Sequence, residues 1–240
     1  MRTRLAILAM LLAVLPASAA TLGLAPYEAV YHATVKMIPV RARVSLTEGA
    51  AQTWVYESRI VPRGWAGFIS KELVESSVVI LDEDDRLVSS SYLKRDGFGG
   101  RDSDIHFDRE AGEMRVRYKG KEHSAAWDPS AHDMMALRLV LANDLALGRL
   151  AETYRMVDYK GRIRNVTVAN QGHERLETEA GTLDTVRIEY REARKGRLYR
   201  AWLAPEIGGM IVRLEQYEDG ELRGTLELAE YRLGGPAAHE

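Results

Sequence analysis

The segment VRIEYR, residues 186–191, shows the pattern that decides the fold of this chain. In an extended strand Val186, Ile188 and Tyr190 fall on one face, and the charged residues between them fall on the other. A period of two with one apolar face is typical of a strand in a sheet that is packed on one side and solvated on the other. The solvated residues are Arg and Glu in alternation, which favours ion pairs between neighbouring strands.

The same alternation begins at Tyr27 and recurs in short stretches nearly to the C-terminus. Turn-forming pairs such as Lys119-Gly120 and Lys160-Gly161 separate the stretches. Because the spacers are short, we expect antiparallel hairpins rather than crossover connections. Further strands are predicted near residues 41–47, 53–61, 71–81, 87–95, 103–108, 114–118, 153–159, 162–168, 173–178, 183–192, 198–203, 210–217 and 222–232.

One segment, residues 131–147, breaks this period of two. It contains no Gly or Pro and is rich in apolar helix formers, with little polar face. Asp128 or Ser130 is expected to cap its start, with Asp133 in the third position of a capping box, and Gly148 to end it. We therefore predict a mainly β fold. It is a strongly curved antiparallel sheet, a half-barrel or open barrel, with one buried apolar α-helix near residues 131–147.

The first twenty residues have the features of a cleaved export signal. Two arginines precede eleven consecutive apolar residues, 5–15, and Ala17 and Ala19 form the small-x-small step that a signal peptidase recognises. The apolar run is too short for a membrane span, which needs about 20 residues. The sequence thus predicts a signal peptide at 1–20 and export to the periplasm.

The composition of the 240 residues argues against several classes of function. Because the chain has no cysteine, we expect no disulfide framework, thiolate nucleophile, cysteine-ligated metal or lipid-modified cysteine, and hence not a lipoprotein. The net charge of −2, with both signs interspersed, gives no reason to expect nucleic acid binding. No segment after residue 20 approaches the length of a transmembrane helix. We expect one mainly β domain over residues 21–233 and a disordered tail at 234–240.

Four residues form the clearest candidate for a metal-binding or catalytic site in the sequence. Asp102, Asp104, His106 and Asp108 would share one face of a strand, and oxygen ligands with one nitrogen suit a divalent cation. A straight strand, however, spreads them over about 20 Å, whereas a metal site gathers its ligands around a point. A solvated acidic face is therefore the favoured interpretation. Since no catalytic motif is found, we predict a protein that is not an enzyme and has no cofactor.

Several motifs resemble one family of exported bacterial proteins, catalogued as domain of unknown function 3108. They are ERLETEAGTLDTVR at 174–187, AWLAP at 201–205 and IVRLE at 211–215, with the opening YEAVY at 27–31 and the helix start at 133–139. The resemblance implies an exported, mainly β protein, and it brings no catalytic residues with it.

These observations favour a non-enzymatic protein of the cell envelope that binds an apolar ligand, such as a lipid or a lipidated partner. A sheet curved around one helix leaves apolar walls, an architecture similar to that of periplasmic lipoprotein carriers. The alternatives are an envelope assembly or scaffold protein that acts through a sheet edge, and a metal-assisted hydrolase that uses the acidic strand. The residues expected to form the pocket walls are Met37, Trp65, Phe68, Met134 and Leu141.

Overall fold

The computed structural model describes residues 24–35, 37–63, 71–192 and 196–234. The predicted signal peptide and most of the predicted tail lie outside the described residues. The elements are β1 (Tyr27–Val35), β2 (Ile38–Glu48), β3 (Thr53–Pro62), β4 (Leu73–Leu81), β5 (Leu87–Asp96), β6 (Ser103–Asp108), β7 (Glu113–Tyr118), β8 (Lys121–Ala126), β9 (Ala131–Asp133), α1 (Ala136–Ala146), β10 (Thr153–Val157), β11 (Ile163–Thr178), β12 (Gly181–Glu192), β13 (Arg197–Ala204), a 3₁₀ turn (Pro205–Ile207), β14 (Met210–Glu218) and β15 (Glu221–Leu233).

All of these strands belong to one sheet in the order β8-β7-β6-β5-β4-β3-β2-β1-β15-β14-β13-β12-β11-β10-β9. The first and last strands pair at the centre, Tyr27 opposite Leu233, and each half of the chain runs outward from there as a meander. Short turns join most successive strands, so their pairing is antiparallel, as the spacers predict. The mainly β, curved and open sheet that the alternation predicts is confirmed.

The packed and solvated faces follow the alternation of residues 186–191. Val186, Ile188 and Tyr190 are buried, and Ile188 and Tyr190 belong to one continuous core. On the outer face Glu189 accepts a hydrogen bond of 2.8 Å from Arg200 on the neighbouring strand. The predicted pairing of Arg and Glu across strands is therefore present.

The buried helix is confirmed, but it is shorter than the apolar stretch that predicts it. Residues 131–133 instead form β9, which pairs in parallel with β10 because α1 provides the crossover between them. The cap also differs from expectation. Asp133, rather than Asp128 or Ser130, accepts hydrogen bonds from the first free N–H groups of the helical turn. Gly148, with a φ of +67°, follows the helix in the left-handed conformation of a C-terminal stop.

The two ends of the sheet meet by side-chain packing rather than by a closing ladder of hydrogen bonds. The turn between β10 and β11 lies on the inner face of β7, where the rings of Tyr118 and Tyr159 are 5.7 Å apart. In the same contact a Cβ on Gly161 would lie 2.5 Å from Val116. The helix blocks one end of the resulting open barrel, since Arg149 just beyond it donates a hydrogen bond to the carbonyl of Asp85 in the β4–β5 turn.

No helix in the described ranges has the length and apolar character needed to cross a membrane.

Candidate ligand-binding site

The site begins with the anchor that fixes the start of α1. Asp133 is fully buried, and one of its carboxylate oxygens, Oδ2, accepts hydrogen bonds from the hydroxyls of Ser77 on β4 and Ser89 on β5, at 2.8 and 2.9 Å. The other, Oδ1, accepts bonds of 2.9 Å from the N–H groups of Met135 and Ala136. These four bonds hold the first turn of the helix against the inner face of the sheet.

The anchored helix places Arg138 inside the barrel. Arg138 borders two cavities, one of about 130 Å³ and one of about 40 Å³. Tyr190 lines the cavity of about 40 Å³ together with Arg138, and Nη1 of Arg138 lies 3.7 Å from the sulfur of Met135. The side chain keeps some accessible surface although protein surrounds it, because it faces this internal space.

The larger cavity lies between Arg138 and strands β1–β4, β14 and β15. Its walls are mostly apolar and aromatic, and its polar groups besides Arg138 include Ser58 and Glu75. It reaches the end of the barrel that α1 does not block, since its lining includes the last residues of β1 and the early residues of β15. The apolar lining includes Tyr31, Val40, Tyr56, Ile60, Ile211 and Leu226.

Exposed apolar side chains lie at this end of the barrel, on two neighbouring hairpins. Val35, Met37 and Ile38 lie where β1 turns into β2, and Leu222 lies in the neighbouring β14–β15 hairpin; they are 42 to 92% exposed. We call these four residues the apolar rim. Their position at the mouth of the cavity matters because exposed apolar groups that cluster mark binding surfaces more often than single ones do.

The smaller cavity lies on the other side of Arg138. Met134, Leu137 and Leu141 of the helical segment face Tyr190 and Tyr199 across it. The two tyrosine rings are stacked, with centroids 4.8 Å apart and planes at 10°. Asp158, Glu192 and Arg197 also line this space, so its outer part is charged.

Arg138 remains a cation in this setting. Burial by itself lowers its pKa, but the hydroxyls of Tyr190 and Tyr56 and the carboxylate of Glu75 outweigh burial and raise the pKa above its usual range. Burial also raises the pKa of Tyr190, so its hydroxyl stays neutral. A permanent positive charge therefore stands between two cavities.

Among the acidic groups, Glu75 raises the pKa of Arg138 most, but its carboxylate is hydrogen-bonded to other residues. Its Oε1 accepts a hydrogen bond of 2.7 Å from the Tyr92 hydroxyl and one of 3.3 Å from Lys94 Nζ. Lys94 is mostly buried and forms the ion pair with Glu75. Throughout the described ranges, no Asp or Glu oxygen lies within 4.0 Å of the Arg138 guanidinium.

Two further titratable groups lie at the start of the helix. Burial raises the pKa of Asp133 to about 6, although its four hydrogen bonds oppose this shift. Burial lowers the pKa of the neighbouring His132 to about 4, with a small opposing effect of Asp144. His132 Nδ1 is buried without a hydrogen-bond partner.

The structure brings together two of the five predicted pocket residues. Met134 and Leu141 line the smaller cavity beside Arg138. Met37 lies in the apolar rim, outside the cavity walls, and is the most exposed residue there. Trp65 and Phe68 lie outside the described residues.

Arg138 was not among the predicted site residues, although the sequence carries a signal for it. It is the only charged residue between Met134 and Ala142, an otherwise apolar run. A cation in a helix that is expected to be buried on most sides must either reach solvent or border a polar cavity. Sequence reasoning of this kind is sufficient to select Arg138 as a candidate.

The acidic strand has a different arrangement from a metal centre. Burial alone would raise the pKa of Asp104, but Arg95 and Arg117 each donate a hydrogen bond of 2.9 Å to its carboxylate, and the pKa is lowered as a result. Asp102 accepts a hydrogen bond from the N–H of Asp96 at the end of β5, and Asp108 accepts one from the N–H of Ala111 in the next turn. His106 is exposed. In the part of the chain that the structure describes, no three His, Asp or Glu residues are grouped to hold a metal ion.

Fold and site together define a class of protein: an open, barrel-like sheet, blocked at one end by a helix, with a cationic cavity inside. The chain belongs to a family of proteins of unknown function, DUF3108, whose sequence model matches residues 27–227. This confirms the family that the motifs resemble.

Two solved structures are similar to the chain. The crystal structure of a beta-barrel-like protein of the domain of unknown function DUF1849 from Brucella abortus has a TM-score of 0.58 and 13% identity, and the match covers 88% of this chain and 98% of that one. A protein with a YmcC-like fold from Bacteroides fragilis has a TM-score of 0.37 and 14% identity, with 86% and 95% covered. No curated protein sequence is significantly similar to this chain. The first likeness shows the fold alone.

Proposed function

We propose that this protein is a non-enzymatic binding protein of the bacterial periplasm that takes an apolar or amphipathic ligand, such as a lipid or a lipidated partner, into its interior. The observation that carries the proposal is the cavity of about 130 Å³, which is walled by apolar side chains and reaches the apolar rim. Ligand sites are concave and mostly apolar, with few polar groups. The export signal predicted at residues 1–20 supports the periplasmic location.

The volume limits what the cavity holds. An engineered apolar cavity of about 150 Å³ binds benzene, so a space of this size takes a ring or a few methylene groups. A longer chain would leave the cavity at the mouth and lie against the apolar rim. Each methylene removed from water contributes about 0.8 kcal/mol, so affinity should rise with chain length until the rim is covered.

The interior acids support a binding role rather than catalysis. A general acid or base must reach the proton that it transfers. Both oxygens of Asp133 are engaged in structural hydrogen bonds, and one oxygen of Glu75 is held by Tyr92 and Lys94. These groups shape the interior and hold its elements together.

Native mass spectrometry of protein purified from the periplasm without detergent tests the proposal. We expect a co-purified lipid or acylated species, or uptake of added 1-alkanols with affinity that rises from six to ten carbons. Ala33→Leu should weaken uptake, because Ala33 lines the cavity and added methyl groups fill it. The matched control is Ala50→Leu, an exposed position in the β2–β3 turn. A clean apo mass with no uptake of any alcohol would refute the proposal.

A sheet edge offers a second candidate function, in envelope assembly. Strand β8 ends the sheet, and most of its residues are exposed. An edge strand with unpaired backbone groups accepts a partner strand. Hydrogen exchange separates the two functions: a protein partner at this edge would protect the amides of β8, whereas an interior ligand would protect residues around the cavity on β1 and β15.

A further inference from the structure

Among the charged residues that the structure describes inside the barrel, Arg138 has no carboxylate next to it, because the interior acids are bound by other groups. Lys94 neutralises Glu75 directly, and Asp158 and Glu192 lie near Arg164 on the far side of the smaller cavity. Asp133 directs its oxygens to Ser77, Ser89 and the helix N–H groups. Arg138 is left with the sulfur of Met135, 3.7 Å from Nη1, and with Tyr56 and Tyr190 in the walls of the two cavities that it borders.

A buried cation without an adjacent anion is a costly feature in a protein interior. Buried charges are paired or bind a partner in nearly all proteins, because the loss of hydration must be offset. Arg138 differs from a structural arginine in one respect, since it borders a cavity on each of two sides. A group that enters the larger cavity from the mouth meets the guanidinium at its inner end.

We propose that the ligand is a single-chain amphiphile with an anionic headgroup, which enters head first and pairs with Arg138. This inference rests on the proposed function and adds the chemical class of the ligand. A guanidinium binds the two oxygens of a carboxylate or phosphate in parallel, which a neutral or cationic headgroup cannot match. Tyr56, which lines the larger cavity together with Arg138, supplies a hydroxyl donor for the same headgroup.

The orientation follows from the two ends of the cavity. The inner end has the cation and the hydroxyls, and the mouth has Val35, Met37, Ile38 and Leu222. An anionic head at Arg138 places the chain along the apolar wall and out across the apolar rim. The opposite orientation would bury the end of the chain against a charge.

Titration calorimetry at pH 7.5 with three probes of equal chain length tests the inference: octanoate, 1-octanol and octylammonium. We expect octanoate to bind about ten-fold or more tightly than octanol, since a charge-assisted hydrogen bond contributes about 1.5 kcal/mol or more. Octylammonium should bind most weakly. In Arg138→Met the preference for octanoate should disappear while octanol affinity stays within about two-fold. Arg138→Lys should keep part of the preference.

The control variant is Arg86→Met, which removes the same charge from an exposed turn at the blocked end. It should bind all three probes as the wild type does. Equal affinity of the wild type for octanoate and octanol would overturn the inference and leave the proposed function intact. Octanoate binding that is unchanged in Arg138→Met would do the same. If none of the three probes binds the wild type, the proposed function fails as well. The wild-type series decides the matter even where the methionine variant does not fold.

Discussion

The buried anchor at the start of α1 gives the sharpest test of how this fold is held together. Asp133→Ala removes the acceptor for four hydrogen bonds that join β4, β5 and the helix. The serine hydroxyls and helix N–H groups left behind are buried, so water cannot easily replace the lost acceptor. We expect the alanine variant to be strongly destabilised but still folded around the remaining core.

The magnitude follows from two opposing contributions. Four hydrogen bonds, at about 1.5 kcal/mol each in the protonated state to which the pKa shift is referred, stabilise the fold by about 6 kcal/mol. Burial raises the pKa of Asp133 from 3.8 to about 6, so keeping the carboxylate ionised at neutral pH costs about 3 kcal/mol. The alanine variant should therefore lose about 3 kcal/mol of unfolding free energy at pH 7.5.

The same pKa gives the sign of the pH dependence. Because the folded protein holds the Asp133 proton more tightly than the unfolded chain, stability gained through this group increases as pH falls from 6 toward 3.8. At pH 5 the wild type gains about 1 kcal/mol from Asp133 that the variant cannot gain. The difference between the two proteins should thus grow from about 3 to about 4 kcal/mol between pH 7.5 and pH 5.

Urea unfolding at the two pH values measures both quantities. Asp108→Ala is the matched control, because Asp108 is exposed and accepts one hydrogen bond from the N–H of Ala111. It should cost about 1 kcal/mol or less at both pH values. A loss below about 1 kcal/mol for Asp133→Ala, or a loss that shrinks on acidification, would refute this account of the anchor.

Two other predictions concern neighbouring features. Burial lowers the pKa of His132 to about 4, so the stability that the neutral imidazole contributes is lost as pH falls from 6.5. Between pH 7.5 and pH 5 the unfolding free energy of the wild type should fall by about 2 kcal/mol through this group. Urea unfolding of His132→Asn should not show that loss. Gly161→Ala should destabilise by about 2 kcal/mol or more, because its Cβ would meet Val116 at 2.5 Å, whereas Gly120→Ala, with the same φ of +74° and open space around it, should cost about 1 kcal/mol. Similar unfolding midpoints for the two glycine variants would contradict the packing of the sheet ends.

Local patterns in the sequence predict most of the fold. The period of two at residues 186–191 is a property of single strands, so burial of Val186 and Ile188 needs no knowledge of their partners. The short turns likewise fix neighbouring strands as antiparallel pairs. The start of the helix, in contrast, is determined by contacts with distant parts of the chain. Residues 131–133 join a strand that is more than twenty residues away, and Asp133 is held by serines of two earlier strands.

The candidate site is harder to predict because its residues are ordinary elements of a β core. Tyr56 and Tyr190 follow the apolar alternation, and only the three-dimensional structure shows that each lines a cavity beside Arg138. The contact between Gly161 and Val116 joins distant turns and strands in the same way. Arg138 is the exception, since its isolation in an apolar run is visible in the sequence alone.

The energetics of Arg138 separate the interior of this protein from a core that is selected for stability alone. Replacing a buried charge by an apolar side chain of similar size is often neutral or stabilising. A leucine or methionine at position 138 would continue the apolar run of α1 and remove the need for tyrosine hydroxyls around it. The fold instead keeps a cation, leaves space on both sides of it and places exposed apolar side chains at the mouth. Folding gives no reason for that combination, and binding of an anionic chain accounts for each part of it.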